Sequence, residues 1–142
     1  MNELEKTVMQ VLDAYKSAVF AKDVDAFVSL YDQEVRVFDL WEKWSYNGIE
    51  AWRGMVMDWF NSLGTDRVDV EVDNVEISAT DKLAMAHGFI TYKGVSAEGK
   101  ELRAMQNRLT WVLKQKDGTW KIIHEHTSAP VNAETSKVIL QR

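Results

Sequence analysis

The chain of 142 residues contains no cysteine, one proline and seven glycines. The absence of cysteine excludes a disulfide scaffold, an iron–sulfur site, a thiolate zinc site and a thiol nucleophile. The small number of proline and glycine residues argues against a low-complexity or disordered chain. No apolar run approaches the roughly 18–20 residues that span a bilayer. These absences favour an ordinary folded domain.

Basic residues are also fewer than acidic ones. The chain has 17 Lys and Arg against 22 Asp and Glu, a formal net charge of −5, and it has no basic stripe. Such a chain is a poor candidate for binding the phosphate backbone of nucleic acids. The acidic, amphipathic start, residues 1–5, does not have the pattern of a signal peptide. We therefore expect a cytoplasmic protein without nucleic-acid or membrane partners.

Large apolar side chains are what the sequence has in excess. It contains six tryptophans, five phenylalanines and four tyrosines, and a chain of this length buries about two-thirds of its surface on folding. Both facts predict one domain with a substantial core, over residues 1–130. Residues 131–142 follow the only proline and form a C-terminal arm, which could be docked, exchanged between copies or frayed.

Hydrophobic periodicity predicts helices first. The predicted helices cover residues 3–21, a short stretch capped by Asp23, and a segment that begins at Asn47 and ends at Gly64. Asn2 and Asn47 each precede a glutamate by three residues, which is the pattern of a capping box.

Strands follow the helices. One strand is predicted at residues 35–40, and from residue 67 the period changes to two, with a slip of parity at Asp73 and Asn74 that indicates a bulge. Further strands are predicted at 82–93, 101–115 and 119–128. This order indicates an α+β fold in which the helices pack on one face of a curved, mainly antiparallel sheet.

The last predicted hairpin contains most of the polar residues that are candidates for a site. A three-residue loop, Lys116 to Gly118, would place His124 opposite Thr110 and His126 opposite Arg108. The shared face would then be apolar near the turn and polar further away, as in a pocket wall. A two-residue loop would shift the pairing by one residue and place Leu109 and Trp111 opposite the histidines. We prefer the first register because it groups polar side chains together.

The two histidines also permit a metal site as an interpretation, because alternate residues of a strand share a face. A third ligand would have to come from His87, Asp39 or Glu50. Two ligands are not a site, and the other interpretation is a pair of pocket histidines hydrogen-bonded to neighbours such as Thr110. We therefore predict no metal and no other cofactor.

Three segments together resemble the nuclear transport factor 2-like superfamily. They are residues 20–31 (FAKDVDAFVSLY), 47–53 (NGIEAWR) and 117–128 (DGTWKIIHEHTS). The last segment resembles SnoaL-like domains and the association domain of calcium/calmodulin-dependent protein kinase II. The resemblance implies a cone-shaped fold: a bent mixed sheet, three N-terminal helices across its concave face, and one pocket. It also implies a homodimer that packs through the outer face of the sheet.

Ketosteroid isomerases share this fold, and two of their site positions are matched here. Tyr15 lies eight residues before Asp23, and Asp39 lies sixteen residues after it. The resemblance implies that the tyrosine donates a hydrogen bond to a developing oxyanion and that Asp39 moves a proton next to a carbonyl. The family's third residue, a protonated aspartic acid, is replaced near its position by Arg108. An arginine there favours a ligand that is anionic or carbonyl-containing.

These observations predict a small-molecule enzyme of the isomerase, cyclase or dehydratase type. Asp39 would be the base, Tyr15 and Arg108 would hold the oxyanion, and His124 or His126 would be the second acid–base group. Trp41 and Trp44 lie in a segment without periodicity and would form a pocket rim or a dimer contact. The remaining ligand-binding candidates are Thr110 and Trp52, although Trp52 also fits a core position. The alternative is a non-catalytic ligand-binding or association module that uses the same pocket.

Overall fold

Helices occupy most of the first 62 residues, and long strands follow. The computed structural model describes residues 1–142. Its elements are α1 (Glu3–Ala21), α2 (Val24–Val28), β1 (Tyr31–Phe38), β2 (Tyr46–Asn47), α3 (Ile49–Ser62), β3 (Arg67–Ala79), β4 (Leu83–Val95), β5 (Glu101–Lys116) and β6 (Thr119–Ser128). None of the three helices has the length and apolar character that crossing a membrane requires.

The sequence predicted an N-cap for α1 and for α3, and the structure confirms only the first. At the start of α1, the Asn2 Oδ1 accepts a hydrogen bond of 2.8 Å from the Glu5 backbone N–H, so this predicted cap is confirmed. The predicted cap of α3 at Asn47 is wrong. Asn47 belongs to β2 and pairs with Arg36, and Gly48 is the N-cap, with φ of +88° and no side-chain hydrogen bond. The glycine allows a positive φ at which β2 turns directly into the helix.

The six strands form one open, mixed sheet in the order β2-β1-β6-β5-β4-β3. All neighbours are antiparallel except β1 and β6, which are parallel. The helices cover the inner, concave face, where α1 packs against β3 and α3 packs against β1. This arrangement confirms the predicted α+β cone.

The bulge predicted in β3 is confirmed. The pairing of β3 with β4 shifts between Asp73 and Glu76, and Asn74 has a φ of +55°. An extra residue on one strand increases the local twist and bends the sheet. The bulge therefore helps to curve the sheet around the helices.

The register predicted for the last hairpin is wrong. The loop has two residues, Asp117 and Gly118, with φ of +52° and +79°, as the tight primed turns require. The pairing then shifts: Leu113 is opposite Ile122, but Val112 is opposite His124. Ile123 is therefore an extra residue in β6, and it reverses which residues face the helices.

Because of this bulge, the predicted grouping of polar side chains exists, but it faces away from the helices. His124 is opposite Val112, His126 is opposite Thr110, and Ser128 is opposite Arg108. The alternate residues of β6 beyond the bulge, Glu125 and Thr127, are buried on the inner face.

The C-terminal arm is docked on the sheet. The Gln106 backbone N–H donates to the Leu140 carbonyl oxygen at 2.6 Å, beyond the point where β6 ends. Arg142 lies across the outer face, with its guanidinium carbon 4.2 Å from the centre of the Phe89 ring and an ion pair of 2.7 Å to Asp73. The arm thus covers the β5 edge that β6 leaves open.

Gly88 tests the bulge in β3. A Cβ atom at this position would lie 2.9 Å from the Asp73 carbonyl oxygen and 3.2 Å from the Val75 Cα, and both are backbone atoms. We expect Gly88→Ala to lower the free energy of unfolding by about 1–3 kcal/mol. The control is Gly54→Ala in α3, where a Cβ meets nothing within 4 Å. This change should raise the free energy of unfolding by about 0.5–1 kcal/mol, because alanine favours a helix. Urea unfolding measures both, and an unchanged midpoint for Gly88→Ala would contradict the close packing at the bulge.

Candidate functional site

A cavity of about 320 Å³ lies between the helices and the inner face of the sheet. Aromatic side chains form a large part of its wall: Tyr15, Phe27, Tyr46, Trp52, Trp59 and Tyr92, with Trp41 at the opening. These rings pack on one another; for example, the centres of the Tyr15 and Phe27 rings lie 5.1 Å apart. A wall of this kind suits a flat or apolar small molecule.

Glu125 is the most unusual group in this wall, because it is only 2% exposed. Its Oε1 accepts hydrogen bonds from the Tyr31 hydroxyl at 2.5 Å and from the Trp111 indole N–H at 2.8 Å. Its Oε2 accepts none. Burial raises the pKa of the Glu125 carboxyl to about 7, and the negative charge of Asp39 acts in the same direction, while the two hydrogen bonds oppose the rise. Glu125 is therefore able to give or take a proton near neutral pH.

Asp39 lies just after β1 and lines the same cavity. Its Oδ1 accepts a hydrogen bond from the Thr127 hydroxyl and its Oδ2 accepts one from the Trp41 backbone N–H, both at 3.2 Å. Burial raises the pKa of Asp39 above its usual range, and these hydrogen bonds limit the rise. Two carboxyl groups in different surroundings therefore meet in one cavity.

The two cavity tyrosines form a pair. The hydroxyl groups of Tyr15 and Tyr92 lie 2.9 Å apart and share a hydrogen bond. Burial is the main cause that raises the pKa of each hydroxyl, and the negative charge of Glu125 adds to it. Both hydroxyls therefore stay protonated and remain hydrogen-bond donors.

Two further polar atoms in the cavity wall have no well-formed hydrogen bond. They are the Asn107 Oδ1 and the Trp52 Nε1, on residues that are 7% and 2% exposed. Buried polar atoms without partners are uncommon in folded proteins and cost free energy. Both atoms therefore lie in the cavity wall without a partner from the protein.

Four of the residues predicted from the sequence come together here. Tyr15, Asp39, Trp41 and Trp52 all line the cavity. Trp52 does so from α3 while it also packs against Phe27 and Tyr31, so it is both a wall and a core residue.

The other predicted site residues lie on the outer side of the sheet. The His124 Nδ1 is 2.6 Å from the Arg36 carbonyl oxygen, and the rings of His124 and His126 lie 4.9 and 5.5 Å from the Phe38 ring. Thr110 lies opposite His126 on this outer face.

Arg108 and Trp44 are also outside the cavity. The Arg108 Nε donates to the Ser128 hydroxyl at 3.0 Å. Trp44 is 98% exposed and borders a separate, open groove beside His126. The structure thus keeps Arg108 and both histidines out of the cavity that Tyr15 and Asp39 line, although His126 and Asp39 both border the open groove. Nowhere do three or more His, Asp or Glu side chains gather into a group that could hold a metal ion.

Sequence reasoning missed Glu125, Tyr92 and Asn107. Glu125 stands between the two histidines that drew attention to this strand, and it faces inward only because Ile123 is an extra residue. The only related signal in the sequence is Trp111, whose indole N–H needs a buried acceptor, but its pairing with Glu125 is visible only in the structure.

The buried Glu125 makes stability depend on pH. Its pKa is about 7 in the folded chain against 4.5 for the free side chain, so the folded state binds the proton more strongly. Between these two pH values the unfolded chain releases the proton and the folded chain keeps it. The free energy of unfolding therefore falls as pH rises through this window, by about 3 kcal/mol in total.

We expect Glu125→Gln, which keeps an acceptor for Tyr31 and Trp111, to remove this loss. The variant should gain about 3 kcal/mol relative to the wild type between pH 4 and pH 8. Urea unfolding of both proteins across this range measures the difference, in which the other titrating groups cancel. A constant difference would show that the Glu125 pKa is not raised.

Comparisons with known proteins agree with this architecture. No curated protein matches the chain by sequence. Among solved structures, an NTF2-like protein of unknown function from Pseudomonas putida KT2440 is 23% identical, with a TM-score of 0.84 over 97% of this chain and 94% of that chain. A putative calcium/calmodulin-dependent protein kinase II association domain from Xanthomonas campestris is 19% identical, with a TM-score of 0.74 over 87% of this chain and 85% of that one. Aln2 from a Streptomyces species is 15% identical, with a TM-score of 0.79 over 90% and 91%.

The sequence itself matches a family over most of its length. Residues 8–132 match the SnoaL-like domain. The enclosed, aromatic cavity agrees with a family of small-molecule-binding domains. The chain therefore belongs to the SnoaL-like domain family, within the nuclear transport factor 2-like superfamily.

Proposed function

We propose that this protein is a cofactor-independent enzyme that performs acid–base chemistry on a small molecule in the inner cavity, as an isomerase, cyclase or dehydratase. One observation carries the proposal: Asp39 and Glu125 line one aromatic cavity, and burial raises the pKa of each carboxyl. Carboxyl groups whose surroundings separate their pKa values are suited to serve as a base and an acid.

The roles follow from the hydrogen bonds. Asp39 is the base that removes a proton next to a carbonyl group. Glu125, whose Oε2 carries no hydrogen bond, is the second acid–base group, in the role that the sequence assigned to the histidines. Tyr15, held by Tyr92 at 2.9 Å, donates a hydrogen bond to the oxyanion that develops.

This assignment changes the expected substrate. Arg108 was the reason for expecting an anionic ligand, and it lies on the outer face, bonded to Ser128. The cavity contributes two buried carboxyl groups instead. We therefore retain a carbonyl-containing substrate and set aside the anionic one.

Proton exchange tests the chemistry without knowledge of the natural substrate. We expect the protein to catalyse deuterium incorporation next to the carbonyl of 2-tetralone in heavy water, followed by proton NMR. Asp39→Asn should lower this rate by about 100-fold or more, because the base is lost. Tyr15→Phe should also lower it by about 100-fold, because an oxyanion donor is lost.

The matched control is Asp13→Asn, which removes a carboxylate from the exposed side of α1 and should leave the exchange rate unchanged. Exchange that is catalysed equally well by Asp39→Asn would overturn the role of Asp39. Circular dichroism of each variant separates a loss of chemistry from a loss of fold.

A non-catalytic ligand-binding module is the second candidate. The similarity to a putative association domain supports it, as do the unpaired polar atoms of Asn107 and Trp52, which suit ligand binding without chemistry. Quenching of tryptophan fluorescence by 2-tetralone, with no deuterium incorporation by the wild-type protein, would favour this candidate.

We also propose that the outer face of the sheet forms a homodimer. Leu83 and Met85 of β4 are 50% and 42% exposed on this face, beside Val112 of β5. A second copy would remove these apolar side chains from water.

Sedimentation of the wild-type protein should give twice the chain mass, and Met85→Glu should shift the protein towards the monomer. A wild-type protein that sediments as a monomer at about 100 µM would contradict the dimer.

A further inference from the structure

We propose that the inner cavity recognises a small molecule that carries a cationic amine on an apolar or aromatic body. This inference rests on the proposed function, since it names the ligand class of the same cavity. The natural ligand would place its ammonium group near the Glu125 carboxyl and its body against the aromatic wall.

The first argument is charge. The ionisable acids that line the cavity are Asp39, Glu42 and Glu125, and the only basic side chain in the wall is Arg103. Arg103 is exposed and lies over Gly94 at the opening. Neither Asp39 nor Glu125 forms an ion pair with any residue of the chain. The protein thus leaves two buried carboxyl groups without a positive partner.

The second argument is hydrogen bonding. The Oε2 atom of Glu125 accepts no hydrogen bond, since Tyr31 and Trp111 both donate to Oε1. The Oε2 atom of the charged carboxylate is an acceptor. An ammonium group has three N–H donors and no acceptor, so it supplies what Oε2 lacks. The unpaired Asn107 Oδ1 lies elsewhere in the wall, because Asn107 stands four residues along β5 from Trp111, the residue opposite Glu125.

The third argument is the aromatic wall. The faces of tryptophan and tyrosine rings attract cations, and the attraction grows where water is excluded. The protein's own cations lie over Phe20, Phe38, Tyr46 and Phe89, and none lies over Trp52 or Trp59. Trp52 is covered by neighbouring aromatic rings, but the Trp59 ring is only partly buried in the cavity wall and is available to contact a cationic ligand.

Other ligand classes fit less well. An anion would meet two carboxyl groups and no buried cation, which is repulsive. A neutral carbonyl group pairs with a donor such as the Tyr15 hydroxyl but leaves the Glu125 Oε2 without a donor, so a carbonyl alone does not satisfy the cavity. The raised pKa of Glu125 is consistent with this view, because its carboxyl is buried without a compensating charge. A bound ammonium ion would supply that charge.

Three probes with similar bodies and different charges test the inference. They are 2-phenylethylamine as the cation, 2-phenylethanol as the neutral analogue and 3-phenylpropionate as the anion, each titrated at pH 8 by calorimetry. We expect the amine to bind at least tenfold more tightly than the alcohol, and the propionate to bind most weakly.

Variants of the protein test which side chains cause the preference for the amine over the alcohol. Glu125→Gln should reduce the preference for the amine over the alcohol to less than threefold, and Asp39→Asn, which removes the other carboxylate of the wall, should reduce it several-fold. The control is Glu98→Gln, which changes the net charge equally but lies in the exposed β4–β5 loop, and should leave the preference unchanged. If Glu125→Gln does not fold, Asp39→Asn alone carries this part of the test.

The outcomes separate this inference from the proposed function. Equal or tighter binding of the alcohol or the propionate would overturn the cation preference and leave the cavity as a small-molecule site. If none of the three probes binds at about 10 mM, which corresponds to a binding free energy of about −3 kcal/mol, the result counts against both the cation preference and the small-molecule site. A cation preference that Glu98→Gln abolishes would also overturn the inference, since it would come from net charge.

Discussion

The rest of the site depends on one buried carboxyl group, that of Glu125. Its Oε1 joins three neighbouring strands, because Tyr31 of β1 and Trp111 of β5 both donate to this atom of β6. A carboxyl group in an aromatic core costs free energy that these two hydrogen bonds only partly offset. A hydrophobic residue there would avoid this cost but would leave the buried Tyr31 hydroxyl and Trp111 indole N–H without an acceptor. Glu125 thus serves the fold through its Oε1 and leaves its Oε2 available to a ligand.

A single extra residue gives Glu125 this position. Ile123 bulges out of the ladder between β5 and β6, so residues that would otherwise face the helices face away from them. His124 and His126 become outer-face side chains packed on Phe38, and Glu125 and Thr127 become inner-face ones. Thr127 then holds the Asp39 carboxyl at 3.2 Å. Both acid groups of the proposed mechanism are thus positioned by the same irregularity.

Acidic and basic side chains near the cavity are divided between the two faces of the sheet. Carboxyl groups and aromatic rings line the interior, while most of the basic and imidazole side chains near this end of the sheet lie on its outer side. Asp39 stands at the boundary, since it lines both the inner cavity and the open groove beside Trp44. The same carboxyl group is thus buried enough for its pKa to rise and close enough to the opening to meet an incoming molecule.

Much of this protein is determined by the sequence alone, because local signals act over a few residues. The period of apolar residues predicted α1 with its Asn2 cap, the change of period predicted the long strands, and the slip at Asp73 predicted the bulge in β3. The resemblance to ketosteroid isomerases pointed to Tyr15 and Asp39, and both line the cavity. Even the grouping of His124, His126, Thr110 and Arg108 on one face was visible. Which face that is depends on a two-residue turn followed by a bulge. Pairing between strands decides such a shift, and no residue in β6 signals it. The tertiary structure alone therefore placed Glu125 inside and the histidines outside.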